Sequence, residues 1–502
     1  MIVGDRVRER AELLDRAARL ASAMAAAGVG PGDAVALLMR NDFPVLEANL
    51  AVRRLDAYGV PINWHWHEAE IGYVLRDAAP RLLIGHADLL DRISAEIPEG
   101  LRVVAVDGAV QGERHWQDYD SWIAAHEPYA GHGNGLGSSM VYTSGTTGKP
   151  KAVKRLPATS EESAQRARVL AVIHDTAPGN VALVTGPLYH LFSQAILMAT
   201  FGAGGTVVVM ERFDPEECLR LIARHGVTHS ALVPTLFVRL LRLPDAVKAR
   251  HDLSTLRHVV HSGAPCPAEV KRAMLNWWGP VLHETYGSTE TGVVTKISPD
   301  EWLARPGSVG KPVLTGEVRI LNEDRAWAGP GAIGDVYLRI HGTPDFTFHG
   351  DPAKRAAVEH DGLITCGDIG WLDADGYLFL CDRRVDMVIS GGVNIYPAEV
   401  EAALLEHPMI ADCAVFGVPD PEYGEALAAY LQSDDDLPAE TVKAFLRERI
   451  AGYKVPRHIR VTPALPREET GKIMKRRLRE AFLADAPVPT TWYVGPPALG
   501  VH

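Results

Sequence analysis

The sequence predicts an α/β protein with a large N-terminal domain of parallel βα sheets, a small β-rich subdomain and a small α+β C-terminal domain. Short β-branched runs alternate with helical stretches between residues 181 and 284, a pattern typical of a parallel sheet covered by helices. From about residue 305 the chain changes to short runs separated by Gly and Asp-Gly turns, which indicates hairpins. After Arg384 a compact mixture of strands and helices begins.

The domain boundaries follow from these changes in pattern. We expect a large domain at 1–384, which includes the β-rich subdomain at 305–384, then a C-terminal domain at 385–486 and a tail at 487–502. A chain of 502 residues is long enough for two or three domains.

In the first part of the chain, Ala, Leu and Arg are frequent up to Gly28, which predicts a helix over 8–28. Apolar runs predict buried strands at 33–39, 81–84 and 101–106. Thr159 is followed three residues later by Glu162, a pattern that indicates the start of a helix.

In the alternating region, Asp214 and Pro215 open a helix that Gly226 ends, because a capping acid, a proline at the first position and a closing glycine occur together. The other elements expected here are strands at 181–185, 205–210, 227–233, 258–261 and 281–284 and a helix at 267–278. In the C-terminal domain we expect strands near 411–417, 426–432 and 458–462 and a helix at 438–450.

Composition excludes several classes of protein. A net charge of −12 argues against nucleic acid as a partner, so anionic ligands must be held by local donors. No run approaches the roughly 18 apolar residues of a spanning helix, and no signal-like segment opens the chain. Five cysteines without metal-type spacing are expected to be packing residues in a cytoplasmic protein. His65 and His67 alternate as metal ligands could, but no acid lies at ligand spacing.

The stretch 142–151, Tyr-Thr-Ser-Gly-Thr-Thr-Gly-Lys-Pro-Lys, carries the clearest chemical signal. It places four hydroxyl side chains, two glycines and two lysines directly after an apolar strand, which favours a polyphosphate ligand. It is not the P-loop of kinases and GTPases, because Thr143 stands where the first Gly would be and Pro150 follows the Lys. The alternative is a Ser/Thr/Gly-rich linker, which would have no need of two lysines.

Four further stretches agree with a nucleotide site. Tyr286-Gly287-Ser288-Thr289-Glu290 follows a strand, and its hydroxyls and carboxylate could hold phosphate and Mg²⁺. Asp368 lies between glycines, where an acid suits the hydroxyls of a ribose. The other two stretches are 382–397, which contains Gly391 and Gly392, and Thr470-Gly471-Lys472-Ile473. On its own, Lys472 would be interpreted as a solvated lysine beside the basic stretch 475–479.

In this order and spacing, these stretches resemble the AMP-forming acyl-CoA synthetases of the adenylate-forming superfamily, which also includes luciferase and the adenylation domains of peptide synthetases. The resemblance covers nearly the whole chain, and 261–265 and 187–190 also match motifs of that family. It implies an ATP-dependent carboxylic acid:CoA ligase that uses ATP, Mg²⁺ and coenzyme A. The expected acid is fatty, aryl or bulky alicyclic, no nucleic acid or membrane span is involved, and a homodimer is expected.

The resemblance also implies roles for individual residues. Thr143, Glu290, His190 and Lys472 would be catalytic, with Glu290 holding Mg²⁺ and Lys472 neutralising charge at the α-phosphate. The C-terminal domain would be mobile, rotating about Val385 to bring Gly391 and Gly392 to coenzyme A. The acyl group would contact His190, Ser193, Gly263 and Gly287. The residues implied for ATP and AMP are Thr143, Ser144, Gly145, Thr146, Thr147, Gly148, Lys151, Gly263, Ala264, Pro265, Glu284, Thr285, Tyr286, Gly287, Ser288, Thr289, Asp368, Arg383 and Lys472.

The chain departs from the family pattern at three positions. Ala152 replaces a glycine of the phosphate loop and could restrict its motion. Val385 stands where the family hinge carries Asp or Lys, and a β-branched residue is stiffer there. Ser193 replaces a glycine that follows the His190 turn.

Three alternatives stay open at this point. An amino-acid-adenylating enzyme usually has an Asp near His190, and 187–194 contains none. A ligase that passes its acyl group to a carrier protein often has an insertion that is not seen here. An adenylate-binding relative that runs only one half-reaction is kept open by Ala152 and Val385.

Overall fold

A computed structural model describes residues 1–108, 116–131, 133, 138–143, 151–390, 393–435, 437–467 and 473–485. Within them the chain forms three sheets of 14, eight and five strands. The two larger sheets belong to the N-terminal part, and the five-stranded sheet belongs to the C-terminal part.

The 14-stranded sheet has a parallel centre that lies between antiparallel ends. In spatial order its strands are Gly316–Leu321, Gly334–Ile340, Leu363–Leu372, Leu378–Arg383, Ser308–Pro312, Gly292–Ile297, Leu282–Ser288, His258–His261, His229–Leu232, Val181–Val184, Thr206–Val209, Ile2–Val3 and Arg6–Val7, with Glu359–His360 paired to Leu363–Leu372. The strands between residues 305 and 384, other than Phe346–Phe348, therefore continue the large sheet and do not form a separate one.

The eight-stranded sheet is parallel except at one edge, where the hairpin of Ser138–Thr143 and Lys151–Arg155 and the distant strand Phe346–Phe348 are antiparallel. In spatial order its strands are Phe346–Phe348, Lys151–Arg155, Ser138–Thr143, Tyr58–Pro61, Ala34–Leu38, Leu82–His86, Arg102–Val106 and Gln117–Asp118. The C-terminal sheet contains Val393–Ile395, Val388–Ser390, Gly424–Gln432 and Asp412–Asp420, with His458–Thr462 added parallel to Gly424–Gln432.

The helices begin and end where the local sequence favours it. Asp214 caps the helix Pro215–His225 by accepting the Glu217 N–H at 2.9 Å, and Gly226 ends it at a φ of 59°. Thr159 and Glu162 form a complete capping box. The α-helices are Arg10–Ala26, Phe43–Arg54, Glu68–Ala78, Ala87–Arg92, Tyr119–Ala124, Ser160–His174, Leu191–Gly202, Pro215–His225, Pro234–Leu241, Asp245–Lys248, Ala268–Trp278, Pro299–Ala304, Pro352–Ala357, Pro397–Leu404, Ala439–Arg447 and Lys475–Leu483, and 3₁₀ turns lie at Ser94–Glu96 and Gly452–Lys454.

Helices packed between the two large sheets form the main core. The helices Arg10–Ala26, Phe43–Arg54 and Leu191–Gly202 contribute buried side chains that meet residues of both sheets. The C-terminal part has its own core around Gly424–Gln432. None of the five cysteines is paired. Cys413 lies in the C-terminal core and Cys218 in a second core of the N-terminal part, packed against strands of the 14-stranded sheet, as expected for packing residues.

The α/β class and the small C-terminal α+β domain are confirmed. Every strand expected in 181–284 forms; the strand at 258–261 has the predicted ends, and the ends of the others differ from the prediction by at most four residues. The prediction of parallel sheets was too simple, because both large sheets are mixed. Hairpins such as 282–297, which reverses at Gly292 with a φ of 71°, add antiparallel strands to the parallel centre.

Candidate active site

The candidate active site begins where two neighbouring parallel strands end. His258–His261 and Leu282–Ser288 pair in register, so the segments that follow them lie side by side. The hydroxyl of Ser262 donates to the carbonyl of Thr285 at 2.7 Å and ties these segments together. Gly263 follows with a φ of 86°, a conformation that side chains disfavour. Carboxyl ends of parallel strands are the usual ligand sites of such sheets.

A bulge in the hairpin directs Tyr286 across the site. The register with Gly292–Ile297 shifts between Tyr286 and Gly287. A Cβ atom on Gly287 would lie 1.9 Å from the carbonyl oxygen of Gly292, so only glycine fits this crossing.

Tyr286 belongs to a polar group with Asp368 and Arg383. Its hydroxyl donates to Asp368 Oδ2 at 2.5 Å, and the other carboxylate oxygen lies 3.4 Å from Arg383 Nε. Asp368 and Arg383 face each other on paired strands, which fixes this contact. Burial and the charge of Asp368 raise the pKa of Tyr286 well above its usual value, so the phenol remains a donor. The structure thus brings together three residues that the sequence placed in the nucleotide site.

Ser288 joins this group to Glu290. Its hydroxyl accepts the backbone N–H groups of Glu290 and Thr291 at 3.1 and 3.2 Å, and the thiol of Cys366 donates to it at 2.9 Å. Burial, followed by the charge of Glu290, raises the pKa of the Cys366 thiol, which therefore stays protonated. Because Cys366 is two residues from Asp368, the carboxylates of Glu290 and Asp368 belong to one continuous site.

The ends of the glycine loop lie beside this site. Thr143 and Lys151 are opposite each other on antiparallel strands, and the hydroxyl of Thr143 reaches the Lys151 carbonyl at 3.4 Å. The loop residues predicted to bind ATP, namely Ser144, Gly145, Thr146, Thr147 and Gly148, lie outside the described residues.

The interpretation of Ala152 as a loop residue was wrong. It lies in the strand Lys151–Arg155, opposite Tyr142, and its methyl group is buried in the core. Its φ is not positive, so the backbone at this position does not require glycine.

Arg155 and Lys354 are site residues that sequence reasoning missed. Arg155 donates to the carbonyl of Thr289 at 2.6 Å and lines a cavity with Glu290. Lys354 lies 4.0 Å from the ring centre of Phe348, which pairs with the strand of Lys151. Burial and the adjacent Lys151 ammonium lower the pKa of Lys354 to about 8, and Glu290 opposes that shift. The sequence held no signal for this contact, because it depends on the pairing of residues about 200 positions apart.

Glu284 differs from the expectation that it cradles adenine. Its carboxylate points into the protein and contacts Lys271 Nζ at 2.6 Å, with His261 Nε2 at 3.7 Å. Burial raises the pKa of Glu284 and lowers that of Lys271, while their contact opposes both shifts. Only the backbone of Glu284 is placed beside the site.

Two of the four residues expected around the acyl group, His190 and Ser193, lie at the start of a helix. His190 precedes Leu191–Gly202, and its buried Nε2 has no hydrogen-bond partner among the described residues. Burial lowers the pKa of His190 to about 4, so the ring is neutral. Ser193 is buried against Gly186, where a Cβ would lie 2.6 Å from its hydroxyl.

Val385 lies in the link to the C-terminal domain and is 66% exposed. This link forms a turn in which the backbone N–H groups of Asp386 and Met387 donate to the carbonyl of Arg383. Gly391 and Gly392 connect the paired strands Val388–Ser390 and Val393–Ile395 and lie outside the described residues, as does Lys472.

In the part of the chain that the structure describes, one set of side chains has the geometry to hold a metal ion by itself: Asp42, His86 and Asp107. It includes neither His65 nor His67, and it is not part of the site around Glu290.

The fold and this site define an adenylate-forming enzyme. The chain belongs to the AMP-binding enzyme family: residues 8–343 match that family, and residues 399–472 match the AMP-binding enzyme C-terminal domain. It is therefore an AMP-forming acid–thiol ligase by family, an enzyme that binds ATP and adenylates an acyl substrate, as the sequence predicted.

Two curated relatives show how broad the similarity is. A feruloyl-CoA synthase of an Amycolatopsis species is 34% identical over 94% of this chain and 93% of its own. A 2-succinylbenzoate–CoA ligase of Geobacillus kaustophilus is 33% identical over 95% of this chain and 93% of its own.

Solved structures agree. The anthranilate CoA ligase AuaEII, in complex with anthranoyl-AMP, is similar with a TM-score of 0.85 at 26% identity, over 96% of this chain and 94% of its own. The amide bond synthetase McbA from Marinactinospora thermotolerans has a TM-score of 0.83 at 29% identity over 96% of both chains. Among the described residues, the helices are too short or too polar to cross a membrane.

Proposed function

We propose that this protein is an ATP-dependent carboxylic acid:CoA ligase that forms an acyl-adenylate and then an acyl-CoA thioester. The observation that carries the proposal is the continuous site from Lys151 and Glu290 to Asp368 and Arg383. The acid would be fatty, aryl or bulky alicyclic, and the relatives named feruloyl-CoA synthase and 2-succinylbenzoate–CoA ligase favour an aryl acid.

In the first half-reaction, a carboxylate oxygen of the acid attacks the α-phosphorus of ATP and pyrophosphate leaves. Carboxylate and triphosphate repel each other, so the protein must supply positive charge and donors where charge develops. Lys151 and Lys354 would supply charge at the triphosphate, and Thr143 would supply a hydroxyl. Asp368 would accept hydroxyl donors of the ribose, with Tyr286 and Arg383 holding the carboxylate in place. Lys472 would neutralise charge at the α-phosphate.

Magnesium fits this site. Glu290 offers a carboxylate among three cationic side chains, Arg155, Lys151 and Lys354, an arrangement suited to a triphosphate with a bound cation. Mg²⁺ usually takes one or two carboxylates from a protein and its other ligands from phosphates and water. When bound, it would offset charge on the phosphate oxygens.

The second half-reaction, in which the thiol of coenzyme A displaces AMP, would follow rotation of the C-terminal domain about Val385. Ile389 and Val393, on the hairpin that carries Gly391 and Gly392, are 49% and 45% exposed. Exposed apolar side chains beside a hinge are expected if a second domain arrangement covers them. That rotation would bring Gly391 and Gly392 to coenzyme A.

The test is to incubate the protein with ATP, Mg²⁺, coenzyme A and a panel of carboxylic acids, and to measure pyrophosphate and acyl-CoA by mass spectrometry. We expect both products with at least one acid, and adenylate with pyrophosphate when coenzyme A is left out. Pyrophosphate without thioester in the complete mixture would instead identify a relative that runs one half-reaction or a ligase that uses a carrier protein. Adding a carrier protein distinguishes these two, because only the second would form an acyl-carrier-protein thioester. No pyrophosphate with any acid would contradict the proposal.

The hinge has a separate test. Val385→Pro should trap one domain arrangement and leave a single half-reaction, whereas Val385→Gly should bring the two rates closer together. If the proline variant retains both half-reactions at wild-type rates, the hinge lies elsewhere.

A further inference from the structure

The side chain of Asp382 reaches across the boundary between the two domains. Asp382 belongs to the strand Leu378–Arg383 of the large sheet and precedes Val385 by three residues. Its Oδ2 atom accepts the backbone N–H of Ala398, in the C-terminal domain, at 2.8 Å. Its Oδ1 atom accepts the backbone N–H of Arg383 at 2.7 Å, which orients the carboxylate on its own strand. The bond to Ala398 therefore connects the parts of the chain before and after the proposed hinge.

The helix Pro397–Leu404 receives its cap from the other domain through this bond. Tyr396, at the N-cap position, forms no side-chain hydrogen bond to the helix. Pro397 has no N–H, so Ala398 carries the first N–H of the helix that needs an acceptor. A carboxylate suits this place, because the free N–H groups and the helix dipole give it partial positive charge. The large domain thus supplies the capping side chain of a helix in the C-terminal domain.

Lys475 offsets the charge of the same carboxylate. Burial raises the pKa of Asp382, and the charge of Lys475, followed by the backbone hydrogen bonds, opposes that shift. Lys475 Nζ also lies 2.9 Å from Oε1 of Glu401, which is on the same helix as Ala398. Both the Ala398 N–H and the Lys475 ammonium follow Val385 in the chain, whereas Asp382 precedes it.

The domain arrangement in the structure keeps this helix against the large sheet. The helix Pro397–Leu404 packs on the strand Leu378–Arg383. Ile389 and Val393, on the hairpin expected at coenzyme A, are exposed in the same arrangement. In the proposed mechanism the second half-reaction covers that hairpin, so we assign the arrangement in the structure to adenylate formation.

We propose that Asp382 is a positioning residue for the domain rotation, because its carboxylate holds the C-terminal domain in the arrangement for adenylate formation. This inference rests on the proposed function, since it concerns the alternation between the two half-reactions. Rotation about Val385 moves Ala398 and Lys475 while Asp382 stays in the large sheet, so the bond is absent from the second arrangement. The equilibrium between the two arrangements therefore includes the free energy of this cap.

The experiment measures the two half-reactions separately in the full-length protein, with an acid that wild type uses. Pyrophosphate release reports adenylate formation, and acyl-CoA made from supplied acyl-adenylate reports thioester formation. Loss of a helix-capping acceptor shifts an equilibrium by about 2- to 30-fold. Asp382→Ala should lower the ratio of the first rate to the second by a factor in that range. Asp382→Asn should lower it less, because an amide oxygen can still accept the Ala398 N–H.

Limited digestion with trypsin gives a readout that does not depend on activity. Arg383 and Arg384 are exposed beside Val385, so trypsin can cut the link when the domains separate. Asp382→Ala should be cut there at least twofold faster than wild type, as measured by mass spectrometry of the fragments. A role in stability alone would lower the melting temperature and leave the ratio of the half-reactions unchanged.

Asp375→Asn is the matched control. Asp375 lies in the turn before the strand of Asp382, and its side chain is 61% exposed. Its partner at 2.6 Å is Arg305, which also precedes Val385. This variant should keep the wild-type ratio and the wild-type rate of cleavage.

An unchanged ratio of the two rates in both Asp382 variants would overturn the inference. If Asp382→Ala does not fold, Asp382→Asn decides by the same ratio. If no acid gives pyrophosphate, the proposed ligase fails and the rate of cleavage decides. Faster cleavage of the Asp382 variants than of the control would then support the inference, and equal cleavage would overturn it.

Discussion

The buried ion pair between Lys271 and Glu284 predicts a large loss of stability when it is broken. Lys271 is fully buried, its Nζ lies 2.6 Å from Glu284 Oε2, and it also lies 4.6 Å from the ring centre of Trp302. Lys271→Met keeps a side chain of similar length but leaves the Glu284 carboxylate buried without its partner. Breaking such a pair costs roughly 3–5 kcal/mol. We expect the lower end, about 3 kcal/mol, because Glu284 keeps some accessible surface and can take up a proton.

The assay is thermal melting followed by fluorescence. At about 2 °C per kcal/mol for a large domain, Lys271→Met should melt roughly 6 °C below wild type at pH 8. The loss should shrink towards pH 5, because the folded-state pKa of the stranded Glu284 is raised above its unfolded value and protonation removes the buried charge. The double variant Lys271→Met/Glu284→Gln should recover most of the loss.

Arg272→Met is the control, since its pair with Glu269 on the same helix is exposed and should contribute under about 1 kcal/mol. A Lys271→Met variant that melts within 1 °C of wild type, or no earlier than the double variant, would refute this account of the pair.

Four further predictions concern the site and the core. Asp368→Asn should raise the KM for ATP by about 10- to 100-fold, because it removes a charged acceptor; an unchanged KM in steady-state assays would assign Asp368 a structural role. Lys354→Met should raise the KM for ATP and leave the KM for the acid unchanged, measured in the same assays. Lys472→Ala should slow adenylate formation on the order of 10²- to 10³-fold and spare thioester formation from supplied adenylate, and equal losses in the two separate half-reactions would contradict that assignment. Burial lowers the pKa of His258 to about 4 and of His283 to about 3, from 6.5 in the unfolded chain. The folded protein should therefore lose stability as pH decreases from 6.5 towards 4, by ~1.4 kcal/mol for each pKa unit by which a histidine is shifted. Melting temperature measured against pH checks this prediction.

The parts of the fold that could be predicted are those that local patterns encode. The helix that begins at Pro215 follows from a cap, a proline and a glycine in adjacent positions, and the structure contains all three in those roles. The family resemblance placed Tyr286 and Asp368 in one nucleotide site, but their contact was not predicted, because it joins residues 82 positions apart in sequence.

Other features could not be obtained from local sequence. Ala152 was placed in a loop because it directly follows the glycine-rich stretch. Its strand pairs on one side with the preceding strand Ser138–Thr143 and on the other with the distant strand Phe346–Phe348, whose position no local pattern shows. Lys354 likewise becomes meaningful only after the strand Phe346–Phe348 pairs with Lys151–Arg155 and the helix Pro352–Ala357 packs beside it. Glu284 was misjudged for a related reason: a strand residue can face either side, and its partner Lys271 lies on a separate helix.

The contact at Gly287 has a consequence for how the acid preference of this enzyme can change. A side chain there would meet backbone atoms, which cannot rotate away as a neighbouring side chain could. It would separate the hairpin strands and move the Tyr286 hydroxyl away from Asp368. A substitution made to change the acid preference would therefore also change nucleotide binding. Variation in substrate range, in nature or in directed evolution, is therefore expected at positions other than 287, where a new side chain can be accommodated without moving Tyr286 from Asp368.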